Sequence, residues 1–217
     1  MNRTIIIMTK VPTAGNVKTR LEPFLTPEQC AELAECFLLD TVSKAKSLQN
    51  KLIIAYSPSE KRDDLQELVG NKQILVEQKG VNLGERMFYA FQIAFRQNSD
   101  AVVMIGTDSP TFPPEFIERA YENLKNGDAV LGKTEDGGFY LIGLRTLRKE
   151  IFENIEWSSP KTFQQTARNI KSLGLKLSLL PTWFDVDFPN DLERLRKDLA
   201  ENPITAPLTF DWLKKKM

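Results

Sequence analysis

The side chains able to do chemistry in this chain are carboxylates and cations, because its 217 residues include no histidine. That absence excludes a Ser-His-Asp triad, a Cys-His pair, imidazole acid–base catalysis and ordinary histidine zinc sites. A bound metal would have to rest on oxygen ligands, which favours magnesium, manganese or calcium. Lys10, Gly15, Lys18, Thr19 and Arg20 lie in the run KVPTAGNVKTR. A glycine-containing turn there lets backbone amides approach phosphate oxygens, while Lys18 and Arg20 supply positive charge. Lys18-Thr19 imitates the end of a P-loop, but that motif needs a second glycine directly before the lysine, so a P-loop kinase is rejected. Asp108, in Gly106-Thr107-Asp108-Ser109-Pro110, follows the apolar run AVVMI; it is placed either to hold a metal ion or to shape the turn before Ser-Pro.

Three further segments carry acids or anion-binding signals. Asp185-Val186-Asp187 puts two carboxylates on one side of an extended backbone, and Asp187 is also placed to cap a helix starting near Pro189. Glu135-Asp136-Gly137-Gly138 reads either as an ordinary hairpin turn or as a pocket wall that binds hydroxyls or removes a proton. Gly84-Glu85-Arg86 sits at a helix start, where anions bind readily, or is simply a solvated first turn.

These groups need elements to position them, and the sequence supplies alternating strands and helices. Thr4–Thr9, Lys51–Tyr56, Ile74–Glu77, Ala101–Ile105, Ala129–Leu131, Phe139–Leu144 and Lys176–Leu180 are short apolar or alternating runs suited to strands. Thr26 begins a helix, with Pro27 at its first position and Gln29 completing a capping box. Cys30, Leu33, Ala34, Phe37, Leu38, Thr41, Val42 and Ala45 form its stripe. Further helices are expected over Ser59–Val69, Leu83–Phe95, from Pro113-Pro114 to Leu124, over Thr162–Leu173 and over Asn190–Ala200. Repeated strand–helix units predict one α/β domain spanning residues 1–217, with a mostly parallel sheet covered on both faces. Ligands of such sheets bind beyond the carboxyl ends of the strands, which is where most of the residues above fall.

Composition narrows the function classes. Lysine plus arginine is 29 and aspartate plus glutamate is 29, so the formal net charge is zero and the basic excess of a nucleic-acid binder is missing. The one dense charge run, Lys214-Lys215-Lys216, reads as a solvated tail. No segment approaches the roughly 18 apolar residues of a membrane span, and Thr4–Met8 is too short for a signal-peptide core. Cys30 and Cys36 lack a metal or redox spacing and read as reduced thiols on a helix. A cytoplasmic location is the expectation.

Taken in order, Lys10-x-Pro12-x-x-Gly15-x-x-Lys18-Thr19-Arg20-Leu21, Asn82-Leu83-Gly84-Glu85-Arg86-Met87, Gly106-Thr107-Asp108-Ser109-Pro110, Glu135-Asp136-Gly137-Gly138-Phe139-Tyr140-Leu141-Ile142-Gly143, Trp157-Ser158-Ser159 and Asp185-Val186-Asp187-x-Pro189-x-Asp191-Leu192 resemble the bacterial family labelled radical-SAM/selenodomain-associated transferase. The resemblance runs from around Thr4 to around Arg196. That family is similar to the GT-A glycosyltransferases and to the molybdenum-cofactor and phospholactate nucleotidyltransferases. It implies a Rossmann-like GT-A (nucleotide-diphospho-sugar transferase) fold, with a nucleotide over the first strand–helix loop. Asp108 matches its metal-binding aspartate and Asp187 its second metal ligand, for Mg2+ or Mn2+. Phe188 departs from the pattern, standing where the family more often has threonine.

The expected partners are a nucleotide or nucleotide sugar and a small-molecule acceptor, with Lys18 and Arg20 on the phosphates and Glu135 or Asp136 orienting or deprotonating the acceptor. Glycosyl transfer from a nucleotide sugar is the first expectation, chiefly from the resemblance. Nucleotidyl transfer from a nucleoside triphosphate onto a phosphorylated or carboxylate acceptor is the alternative, and a non-catalytic nucleotide-binding module is a third reading.

Overall fold

The computed structural model of the chain describes residues 1–216. In chain order the elements are β1 (Arg3–Lys10), α1 (Pro27–Ser47), β2 (Lys51–Ser57), α2 (Arg62–Val69), β3 (Ile74–Glu77), α3 (Leu83–Arg96), β4 (Ala101–Ile105), α4 (Glu115–Asn126), β5 (Ala129–Thr134), β6 (Phe139–Leu144), α5 (Thr162–Ser172), β7 (Leu177–Trp183), α6 (Pro189–Glu201) and α7 (Pro207–Lys216). One seven-stranded sheet has the order β3-β2-β1-β4-β6-β5-β7. Only β6 runs against its neighbours; the other pairings are parallel. This is the mostly parallel Rossmann-like sheet expected of the GT-A fold.

Both faces of the sheet are buried, which explains why its strands read as continuous apolar runs. Along β1, Ile5 and Ile7 face a core shared with α1, α2 and α4, where Leu38, Leu65 and Ile117 pack. Ile6 faces the other side, with Met87, Phe91 and Ile170 of α3 and α5. A side-chain period of two therefore feeds two cores from one strand. The expected capping box at α1 is present: the Gln29 amide donates to Thr26 Oγ1 at 3.2 Å, and the Thr26 amide donates to Gln29 Oε1 at 2.9 Å.

A third cluster lies off the sheet. Leu21 and Leu25 of the first loop, Leu33 and Phe37 of α1, Phe184 and Val186 after β7, and Leu192, Leu195, Trp212 and Leu213 of α6 and α7 pack together. It locks the loop carrying Lys18 and Arg20 to the segment carrying Asp187.

Several sequence expectations need correction. Lys214-Lys215-Lys216 is no free tail but the last turn of α7, where cations favour the negative helix end and Lys216 pairs with Glu32 at 3.0 Å. The first turn of α7 is held by Asp40 from the middle of α1, which accepts from the Leu208 and Thr209 amides at 3.1 and 2.9 Å. A cap 168 residues away leaves no local trace. The Ser59–Val69 helix divides into a tight turn at Ser59–Lys61 followed by α2, and β5 and β7 run longer than expected, to Thr134 and Trp183. Among the described residues no helix is long and apolar enough to cross a membrane.

Candidate active site

Because all strands but β6 are parallel, the loops after β1, β4, β5 and β7 open at one edge of the sheet. Backbone bonds draw two of them together: the Val186 amide donates to the Asp108 carbonyl at 2.8 Å. The Lys18 ammonium then sits between their side chains. It is paired with Asp108 and lies 3.2 Å from Asp187 Oδ1, while also donating to the Val186 carbonyl at 2.9 Å. Arg20 donates to the other oxygen of Asp187 at 3.2 Å and lies over the Phe188 ring. Lys18 adopts left-handed backbone geometry, φ 50°, a conformation that costs a non-glycine residue roughly 1–2 kcal/mol and turns its side chain back into this corner.

The Lys18 side chain is 7% exposed, whereas that of Asp108 is 54% exposed and that of Asp187 32%. Burial works against the lysine's charge, but the carboxylates of Asp108 and Asp187 prevail and hold its pKa above the ordinary 10.5. Asp187 does not cap α6. Asp191 does so, accepting from the Asp187 and Phe188 amides at 3.0 and 2.7 Å. Asp185 lies on the same side as Asp187, with Val186 turned into the third core, and accepts a hydrogen bond from Ser109. Burial, then the negative charge of Asp108, push its pKa up to about 7.

The chemistry of this corner suits a hard divalent ion. Two carboxylates and a backbone carbonyl, all oxygen donors, already surround a cation, and magnesium and manganese prefer that donor set.

The second acidic corner is differently built. Glu135 is forked by Arg194 at 2.6 and 2.9 Å, and that hydrogen bonding holds its pKa below the usual carboxylate value. Arg194 itself lies over Phe184, with Cζ 4.0 Å from the ring centroid. Asp136 accepts from Thr134 Oγ1 at 2.5 Å and from the Gly138 amide at 3.0 Å, which is the work of a turn residue.

The remaining predicted residues distribute unevenly. Lys10 and Thr19 are exposed, and neither side chain has a hydrogen-bond or ion-pair partner among the described residues. Gly15 turns the exposed first loop with φ +74°. Gly84 is buried beneath Trp157, where a Cβ would come within 2.6 Å of the indole ring, so close packing accounts for this glycine. Arg86 donates to the Gly80 carbonyl at 3.1 Å and braces the loop before α3.

Sequence reasoning missed Lys44. It is buried in α1 and donates to the carbonyls of Pro110 and Phe112 at 2.8 and 2.5 Å, just past Asp108. Burial lowers its pKa to about 7. The available signal was a lysine on the apolar stripe between Thr41 and Ala45.

The family profile described as "Uncharacterized protein conserved in bacteria (DUF2064)" matches residues 38–159. A Desulfovibrio desulfuricans G20 protein, whose solved structure is named for a nucleotide-diphospho-sugar transferase, is 31% identical, with a TM-score of 0.94 covering 99% of this chain and 94% of that one. A 2-phospho-L-lactate guanylyltransferase of Methanobrevibacter ruminantium is 27% identical over 144 residues, 61% of this chain. The match spans 60% of that curated relative's length. The manganese complex of Rv0371c from Mycobacterium tuberculosis H37Rv shares the fold, with a TM-score of 0.52 at 14% identity over 90% of this chain and 98% of that one.

Proposed function

The chain belongs to the bacterial DUF2064 family, and from that premise we propose that it is a transferase and that the group it moves is a nucleotidyl group. The donor is a nucleoside triphosphate and the acceptor a small phosphorylated or carboxylate compound. An acceptor oxygen attacks the α-phosphorus, the bond from that phosphorus to the β-phosphate bridging oxygen breaks, and pyrophosphate leaves. The observation that carries the reading is the cluster of Lys18 and Arg20 with Asp108 and Asp187 at the strand edge. It offers two cations for a polyphosphate and two carboxylates for a metal.

Each residue's part follows from its place. The Val11 amide is taken by the Ser57 carbonyl at 2.8 Å and Pro12 has none, so the amides of Thr13, Ala14 and Gly15 receive the nucleotide, and Lys18 and Arg20 turn to its phosphates. Asp108 and Asp187 hold a divalent cation, Mg2+ or Mn2+, which supplies Lewis-acid neutralisation of the polyphosphate. The acceptor class follows from what the second corner lacks. Both oxygens of Glu135 are taken by Arg194, which weakens it as a proton acceptor, and Asp136 is occupied by its own turn, so neither is poised as a base. A phosphate or carboxylate acceptor already carries its negative charge and needs none, whereas a sugar hydroxyl would.

This reverses the order of the two readings that the family resemblance suggested. The guanylyltransferase name of the Methanobrevibacter relative supports nucleotidyl transfer. The name of the Desulfovibrio relative favours glycosyl transfer as the second reading. Incubation with Mn2+, a panel of nucleoside triphosphates and nucleotide sugars, and small phosphorylated or carboxylate acceptors separates the two. Pyrophosphate release is the expected result; accumulation of nucleoside diphosphate from a nucleotide sugar overturns it.

A further inference from the structure

We infer that Lys18 and Arg20 are built-in counter-ions that hold Asp108 and Asp187 closed to a free divalent cation until a nucleotide polyphosphate draws them away. The inference rests on the metal and nucleotide roles proposed above and adds the order in which the site fills. Both oxygens of Asp187 are engaged, Oδ1 by Lys18 and Oδ2 by Arg20, and Lys18 also takes Asp108 Oδ1. The charges of Asp108 and Asp187 are matched by those of Lys18 and Arg20, so these two carboxylates present little of their own charge to a bare divalent ion. A divalent ion arriving alone would stand beside two fixed positive charges, with the ammonium confined under the Val186 carbonyl near the Phe37 ring. A polyphosphate changes the exchange. Its oxygens accept Lys18 and Arg20 as those side chains swing off, and the aspartates they release become metal ligands without any charge being left buried and unpaired. Metal and nucleotide must then tighten one another by the same factor, because the coupling is reciprocal.

Binding of Mn2+ to the full-length protein, read from the electron paramagnetic resonance signal of the free ion, tests this without turnover. The probes are Mn2+ alone and Mn2+ with each α,β-methylene nucleoside triphosphate. In the wild-type protein Mn2+ alone should bind weakly, and the matching analogue should tighten it by about tenfold or more, the scale of one lost charge contact. Lys18→Met should raise the affinity for Mn2+ alone by about tenfold and abolish most of the tightening. Arg20→Met, at an exposed position, should raise it by a smaller factor and serves if Lys18→Met does not fold. Tight binding of Mn2+ alone to the wild type, or no gain in either soluble variant, overturns the inference. Asp108→Asn marks the other failure. If it still binds Mn2+ and the analogue as the wild type does, the metal assignment itself is wrong and the counter-ion role falls with it.

Discussion

Two acidic corners stand on the same edge of the sheet, and they differ in the cation that answers them. Asp108 and Asp187 close on Lys18, which is 7% exposed, while Glu135 closes on Arg194, which is 48% exposed. The Glu135 fork is the better formed by geometry, with two oxygens on one guanidinium, yet it faces water. Exposed pairs are screened and usually contribute about 0.2–1 kcal/mol. A charge sealed under protein cannot turn to water when its partner is lost, so the first corner is where substitution matters. Geometry alone would have ranked the two in the opposite order.

The comparison can be broken from several sides. Asp108→Asn should cost the most, about 10²–10³ in turnover, the loss typical of removing one stabiliser of developing charge. Pyrophosphate release at saturating nucleotide measures it, and a rate within a few-fold of wild type would remove Asp108 from the chemistry.

Lys44→Met probes the support beneath that corner. Two carbonyls beside the Asp108 loop would lose their donor, at about 1–3 kcal/mol for a buried group left unpaired, seen as a lowered urea midpoint. The lysine also sets a pH slope. Its folded pKa is about 7 against an ordinary 10.5, so between those values the unfolded chain binds more protons. Its burial cost is therefore complete below about pH 7 and relieved as the pH rises toward 10.5. The variant should lose that contribution to the slope.

Asp185 supplies the opposite slope. Its folded pKa is about 7 against an ordinary 3.8, so the unfolded chain sheds its proton first, and stability from this group falls as the pH rises from about 4 to 7. Urea midpoints measured across that range should fall less steeply for Asp185→Asn than for the wild type. Equal slopes would mean that the carboxyl is better hydrated than its surroundings imply.

The smallest effect belongs to the other corner. Glu135→Gln should change stability by less than about 1 kcal/mol and leave turnover within a few-fold of wild type. A hundredfold loss of turnover in Glu135→Gln would restore Glu135 as an acceptor-binding or proton-removing group and end the contrast between the corners.

By itself the sequence determined the α/β class, six of the helices, the seven strands and the edge of the sheet at which Lys18, Asp108 and Asp187 lie. Those properties are written in apolar period, cap residues and the position of each loop after its strand, all of which act over a few neighbouring residues. The absence of histidine likewise restricted the chemistry to oxygen ligands and cations before any coordinate was known. The tertiary structure decided everything that depends on residues distant in the chain. It placed β6 antiparallel between β4 and β5, capped α7 with Asp40, set Arg194 on Glu135 and seated Lys18 between two aspartates 90 and 169 residues away. Lys18 and Arg20 look alike as two cations in one loop. Only the packing of that loop against the segment after β7 buries one and leaves the other at the surface, because burial is a property of the surroundings and not of the residue.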